Sequence, residues 1–180
     1  LKKQFLINHL KKKKKKNSKA ILKIKGSYIK NNQMRFNSIS FKEDKNEFLI
    51  ADLSLNNEFK ISKVGSIKFK FLNKDKINNK IELINRNNSY TLKGSSLDAS
   101  KIIDKIIDTD EKSGLSKILN IKSKKINLDI KKVYLDNENF VNKLKGEIDL
   151  KNNKIKSLSL DSSFSQNEKF TLTIKDIEGE

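Results

Sequence analysis

The chain has 180 residues, a formal charge of +18, and no cysteine, proline or tryptophan. That length makes one domain with a real core, or two small ones. The missing cysteine excludes disulfides, thiol nucleophiles and thiolate metal sites, and a single histidine, His9, excludes a histidine metal cluster or a histidine acid–base pair. Residues 1–10 hold an apolar patch, Phe5, Leu6, Ile7 and Leu10, and six lysines follow at 11–16. Like charges at that density repel, so residues 1–17 read as a basic linker or loop. The alternative is a polybasic patch that meets anionic lipid headgroups; no amphipathic helix adjoins it, and the linker is preferred.

Strands begin at Ala20. Ala20, Leu22 and Ile24 alternate with Ile21, Lys23 and Lys25 up to Gly26. Further runs centre on Phe36–Phe41, Phe48–Leu55, Phe59–Val64, Ile67–Phe71, Ile81–Ile84 and Tyr90–Leu92. Asparagine pairs at 31–32, 56–57, 78–79 and 87–88 separate them, because Asn tolerates left-handed turn conformations. Short strands joined by short turns predict an antiparallel meander over 18–95. The pattern then changes once. Ala99, Ile102, Ile103, Ile106 and Ile107 fall on one helical stripe, with Asp98 as N-cap, and Leu115–Ile121 supplies a second short helical turn. Residues 96–122 are thus a helical insertion, whose Ile stripe would bury against the apolar side of the sheet. From 123 to 180 a second meander follows.

Alternation is most regular in this last part. Ile126, Leu128 and Ile130 share one parity, as do Leu144, Ile148 and Leu150, then Leu158 and Leu160, then Phe170, Leu172 and Ile174. Period two gives each strand one wet and one dry face. The predicted fold is mainly β: an elongated antiparallel meander forming a curved, one-sided sheet or groove, with one short helix near 99–107. The chain begins at Leu1 with no signal pattern and stops in mid-pattern after Asp176, so it reads as an internal piece of a longer protein whose anchor would lie outside it.

The charge invites a nucleic-acid reading. Lys, Asn, Ile and Phe are abundant while Arg is confined to Arg35 and Arg86. A phosphate or base reader relies more on the bidentate guanidinium. The charge is therefore assigned to compositional drift on solvated strand faces, and no nucleic-acid partner is expected. There is no Gly-rich phosphate loop, no serine elbow and no pair of convergent catalytic groups. The expectation is a non-enzyme without metal or cofactor.

One stretch is more specific. Tyr90-Thr-Leu-Lys-Gly94-Ser-Ser-Leu97-Asp98-Ala99-Ser-Lys-Ile-Ile103 runs as strand, Gly, then a Ser-Leu-Asp-Ala start to a helix. It resembles a segment of the AsmA-like proteins, in particular the YhdP-type, TamB-related branch of bacterial envelope proteins. The downstream runs Ile126–Ile130, Val133–Asn137, Leu144–Leu150 and Ile155–Leu160 follow the family's order of short strands. The motif residues are Gly94, Leu97, Asp98 and Ala99, and the resemblance covers most of 18–177.

The resemblance implies an inner-membrane-anchored protein with this segment in the periplasm. It implies a hydrophobic β groove that moves phospholipid toward the outer membrane and maintains that membrane as a barrier. Partners would be phospholipid acyl chains, bacterial membranes through regions outside this piece, and envelope proteins. The candidate lipid-facing residues are then Ile126, Leu128, Ile130, Leu144, Ile148, Leu150, Leu158, Leu160, Phe170, Leu172 and Ile174. The alternative is a structural, protein-binding β-sandwich module of the envelope that conducts no lipid.

Overall fold

The computed structural model describes residues 19–29, 33–73, 75–86, 89–100, 123–151, 154–164 and 168–175. Of these, 81% are strand, arranged in one open, mostly antiparallel sheet of eleven strands. The strands are β1 (Ala20–Ile29), β2 (Gln33–Glu43), β3 (Asn46–Leu55), β4 (Ile61–Lys63), β5 (Ser66–Leu72), β6 (Asn78–Arg86), β7 (Ser89–Asp98), β8 (Ser123–Tyr134), β9 (Phe140–Lys151), β10 (Lys154–Ser163) and β11 (Lys169–Lys175). Their spatial order follows their chain order, with β4 set aside on β3. Each neighbouring pair is antiparallel except β7–β8, which is parallel. A parallel pair needs a crossover connection, and residues 99–122 make it. The helix expected near 99–107, its Ile stripe and the turn at 115–121 lie outside the described residues beyond Ala99 and Ser100.

Alternation builds these strands because a residue and its cross-strand partner share a face. Two departures from strict alternation shape the sheet. In β2 and β3 the ladder skips Asn37 and Asp52, and Asp52 has φ 53°. In β8 and β9 it skips Lys131 and Lys143, and Lys143 has φ 55°. Around each irregularity the dry-face residues step by three instead of two: Phe36 to Ile39, Ile50 to Leu53 and Val64 to Ile67 in one place, Gly94 to Leu97, Ile130 to Val133 and Val141 to Leu144 in the other. Kinks of this kind bend a strand and raise its twist. The two buried clusters collect along these creases. One holds Ile39, Leu53, Leu55, Val64 and Ile67; the other holds Leu97, Ala99, Ile130, Val133, Val141 and Leu144. Each draws only on strands close together in the sheet, so no second sheet packs across the dry face among the described residues.

Three sequence expectations need correction. Asn78 and Asn79 do not punctuate; they open β6, and the turn before them is closed by Asn73, whose N–H and C=O bond to Ile77 O at 3.0 Å and Lys76 N at 3.2 Å. Phe59 is in a loop, with φ 59°, not in a strand. Here Asn56 Oδ1 accepts from the N–H groups of Glu58 and Lys60, the local side-chain bond that defines an Asx turn. Finally, β7 does not end at Gly94. It shifts register there, opposite the Lys80/Ile81 step, and continues to Asp98.

Candidate functional site: an apolar sheet face

The cross-strand register joins the dry residues into rows. One row crosses ten strands: Ile24 pairs with Ile39, Ile39 with Ile50, Ile50 with Ile67, Ile67 with Leu83, Leu83 with Leu92, Leu92 with Leu128, Leu128 with Gly146, Gly146 with Leu160, and Leu160 with Leu172. A parallel row runs Leu22, Phe41, Phe48, Phe69, Ile81, Gly94, Ile130, Leu144. Within it the Phe48 and Phe69 rings lie 4.9 Å apart. A third row links Tyr90, Ile126, Ile148, Leu158 and Ile174. At about 4.8 Å per strand, the ten-strand row is about 43 Å wide.

All eleven candidate residues of the second half lie on this one face. Ile126, Leu128 and Ile130 sit beside Ile148, Gly146 and Leu144. Leu150 shares the parity of Ile148. Leu158 and Leu160 join Ile174 and Leu172, and Phe170 is two residues from Leu172, opposite Ser162. The face is not uniformly accessible. Ile130 is 1% exposed and Leu144 8%, whereas Leu172 and Ile174 at the β11 edge are 37% and 44% exposed. The β1 edge is as open, with Leu22 at 47% and Ile24 at 52%. Sequence reasoning concentrated on the second half and missed that strands β1–β7 contribute equally to the same rows.

Glycines mark where neighbouring side chains lie flat on the face. Gly26, Gly94 and Gly146 each follow Lys and an aliphatic residue: Ile24-Lys-Gly, Leu92-Lys-Gly and Leu144-Lys-Gly. At all three the next strand's apolar side chain occupies the space of a Cβ. Phe36 Cδ1 would lie 2.8 Å from a Cβ on Gly26, Ile81 Cγ2 2.9 Å from one on Gly94, and Leu160 Cδ2 2.8 Å from one on Gly146. The repeated aliphatic-Lys-Gly triplet was the available signal, and alternation alone did not expose it.

The other motif residues form a polar clasp at the end of β7. Leu97 and Ala99 are buried, and Ala99 N donates to Tyr134 O at 2.9 Å. Asp98 Oδ1 accepts from Ser100 N at 3.1 Å and from Ser100 Oγ at 2.6 Å, which is N-cap geometry. Its Oδ2 accepts from Asn73 Nδ2 at 2.5 Å. Asp98 N donates to Oδ1 of Asn79 at 2.6 Å, and Asn79 is completely buried. The clasp therefore ties the β5–β6 turn to the start of the crossover.

The opposite face carries the charge. One of its rows alternates in sign across six strands: Lys68, Glu82, Lys93, Asp129, Lys145, Asp161. Glu82 contacts Lys68 at 3.1 Å and Lys93 at 3.7 Å. Lys125 meets Glu147 at 2.6 Å, and Lys42 meets Glu47 at 2.9 Å. The Lys42 ammonium, by hydrogen bond and by charge, holds the Glu47 carboxyl below its ordinary pKa. A shallow depression of about 520 Å³ on this side is lined by Lys68, Lys93, Glu82 and Asp129 among others. Cross-strand opposite charges contribute roughly 0.2–1 kcal/mol each, so this row compensates itself strand by strand. On the dry side, burial pushes the Tyr90 phenol pKa up. Among the described residues no three His, Cys, Asp or Glu side chains converge as metal ligands, and no helix is long and apolar enough to cross a membrane. No family model, curated protein or solved structure matches this chain.

Proposed function

We propose that this chain is a periplasmic segment of an AsmA-like, YhdP-type envelope protein whose apolar sheet face carries phospholipid acyl chains between the inner and outer membranes. The observation that supports the reading is the apolar row running unbroken from Ile24 to Leu172. Its width of about 43 Å exceeds the roughly 15 Å of hydrocarbon in one leaflet, so an acyl chain lying along it would remain on apolar surface throughout. At roughly 25 cal/mol per Å² of apolar area removed from water, such a chain gains by staying on the face. The charged row on the other side keeps that surface hydrated. Sliding a lipid along the face needs no acid, base or metal, which fits a non-enzymatic role, with anchoring supplied by parts of the protein outside this piece.

The test is native mass spectrometry after incubation with phospholipid vesicles, followed by lipid extraction. The chain should retain phospholipid in defined stoichiometry. Leu172→Asp and Ile24→Asp, both at exposed edge positions, should lose it, while Ser40→Asp, opposite Lys23 on the wet face, should keep it. A lipid-free chain under these conditions refutes the reading.

A further inference from the structure

Register decides which charges meet on the wet face. In the described ladders a lysine stands opposite a carboxylate or a neutral residue, with two exceptions. Lys151 and Lys154 meet where the β9–β10 hairpin turns. The other pair, Lys70 on β5 and Lys80 on β6, is directly opposed within the sheet. Like charges so placed repel and destabilise. Their other ladder neighbours do not relieve this. Lys80 pairs with Ser96, and Lys70 with Glu47, whose carboxylate Lys42 already holds at 2.9 Å. Both lysines line the depression of about 520 Å³, a volume within the range of small-molecule sites. So do Ser95 and Lys131, which the β6–β7 and β8–β9 ladders skip. Irregularities of this kind re-aim side chains. Among the described residues, neither Lys80 nor Lys131 contacts a carboxylate.

We propose that this depression binds a soluble phosphate ester, held by Lys70, Lys80 and Lys131 with the Ser95 hydroxyl. A phosphate dianion between Lys70 and Lys80 turns a repulsive pair into two charge-assisted contacts. Lys131 reaches in from β8, two strand spacings or about 10 Å from β6, on a flexible four-carbon stem. Five lysines and three carboxylates line the depression, a net charge of +2. Glu82 does not oppose the ligand, because Lys68 and Lys93 hold it at 3.1 and 3.7 Å. Asp129 does oppose it, but Lys93 and Lys145 stand on either side of Asp129 in the ladder and offset its charge. Leu49, an aliphatic residue on the wet face, and Gly94, without a side chain, give the organic part of an ester an apolar floor. The site faces away from the apolar rows, so a lipid seated on those rows does not bring its headgroup here. The inference therefore does not depend on lipid binding.

The test is an amide-resonance titration of the 180-residue chain with glycerol 3-phosphate, against sodium chloride at matched ionic strength. Saturable shifts are expected at residues 68–70, 80–82, 93–95 and 129–131, and not with chloride. Lys80→Gln and Lys131→Gln should each weaken binding about tenfold, the loss expected for one charge-assisted contact. Lys23→Gln, on the wet face of β1, removes the same charge elsewhere and should leave binding unchanged. Lys80→Gln has a second signature: without ligand and at low salt it should unfold at a higher urea concentration than the parent, because it removes the opposed charge. Resonance dispersion establishes that each variant is folded. Shifts no larger than those given by chloride, or unchanged affinity in the Lys80 and Lys131 variants, overturn the proposal. So does a chain that binds vesicles containing phosphatidic acid but not glycerol 3-phosphate, since the ligand is then a membrane headgroup.

Discussion

Gly146 is the sharpest place to test how the dry face is held. It lies inside the ten-strand row, third from its β11 end, between Leu128 on β8 and Leu160 on β10. A Cβ built there would lie 2.8 Å from Leu160 Cδ2 and 3.0 Å from Leu160 Cα, and closer still to the Ser159 carbonyl oxygen. A flexible side-chain tip can swing away, but two of these three atoms are backbone of a paired strand. Gly146→Ala must therefore push β9 and β10 apart. Overpacking of this kind costs about 1–3 kcal/mol, partly offset by the roughly 0.4–1 kcal/mol that alanine gains by restricting the unfolded chain. The expected net loss is about 1–2 kcal/mol. Gly26→Ala meets similar atoms, Arg35 O at 2.7 Å and Phe36 Cδ1 at 2.8 Å, but β1 is an edge strand and can shift outward into solvent. Its net effect should be within about 0.5 kcal/mol. Urea denaturation of both variants measures the contrast, with unchanged m-values showing that only stability moved. If Gly146→Ala unfolds at the same urea concentration as the parent, the close approach of Leu160 does not hold the sheet and the reasoning fails.

Truncation should scale with depth on the face. Ile130→Ala, at a fully buried position, should cost about 2–5 kcal/mol by the same assay, and Leu172→Ala at the edge less than about 1 kcal/mol. Asn79→Ala removes the acceptor for Asp98 N and should cost about 1–3 kcal/mol, with faster hydrogen exchange at the Asp98 amide. The Asp136 carboxyl is held below its ordinary pKa by the Asn139 side chain first, then by the backbone N–H groups of Asn139 and Glu138. Its contribution to the 135–139 turn is therefore present above the unfolded carboxylate pKa and fades as pH falls through the folded one. A carboxyl-resonance titration should show Asp136 ionising below a peptide aspartate, and Asp136→Asn should abolish that pH dependence of the turn.

Alternation carried most of the fold. It set the strand content, the one-sidedness of the sheet, and the common face of residues such as Ile126, Ile148 and Leu158, because period two maps directly onto pleat geometry. It could not carry the creases. Ile130 and Val133 share the dry face although their positions differ by three, an odd number, and the cause is a skipped ladder pair at Lys131 and Lys143, which no local propensity marks. The parallel β7–β8 joint was hidden for a related reason: parity is the same for parallel and antiparallel neighbours. Asn79 misled most, since its type suggested a turn, whereas its amide is buried where a backbone N–H of β7 needs an acceptor. The charge ladder from Lys68 to Asp161 was likewise illegible, because a lysine's sign-opposed partner is set by register across strands and not by spacing along the chain.

The single parallel joint has a kinetic consequence. Every other contact between neighbouring strands is closed by ten residues or fewer, the longest being the β3–β5 connection over 56–65 that carries β4, so the β1–β7 and β8–β11 parts can each form by successive local pairings. Joining β7 to β8 requires closing the much longer span 99–122, and loop-closure entropy grows by about 0.6 kcal/mol for each doubling of length. Topology of this kind keeps contact order low within each half and concentrates the slow step at one seam. Refolding should show two early phases and a later one, with the latest amide protection appearing at Leu92 and Leu128, where the halves meet.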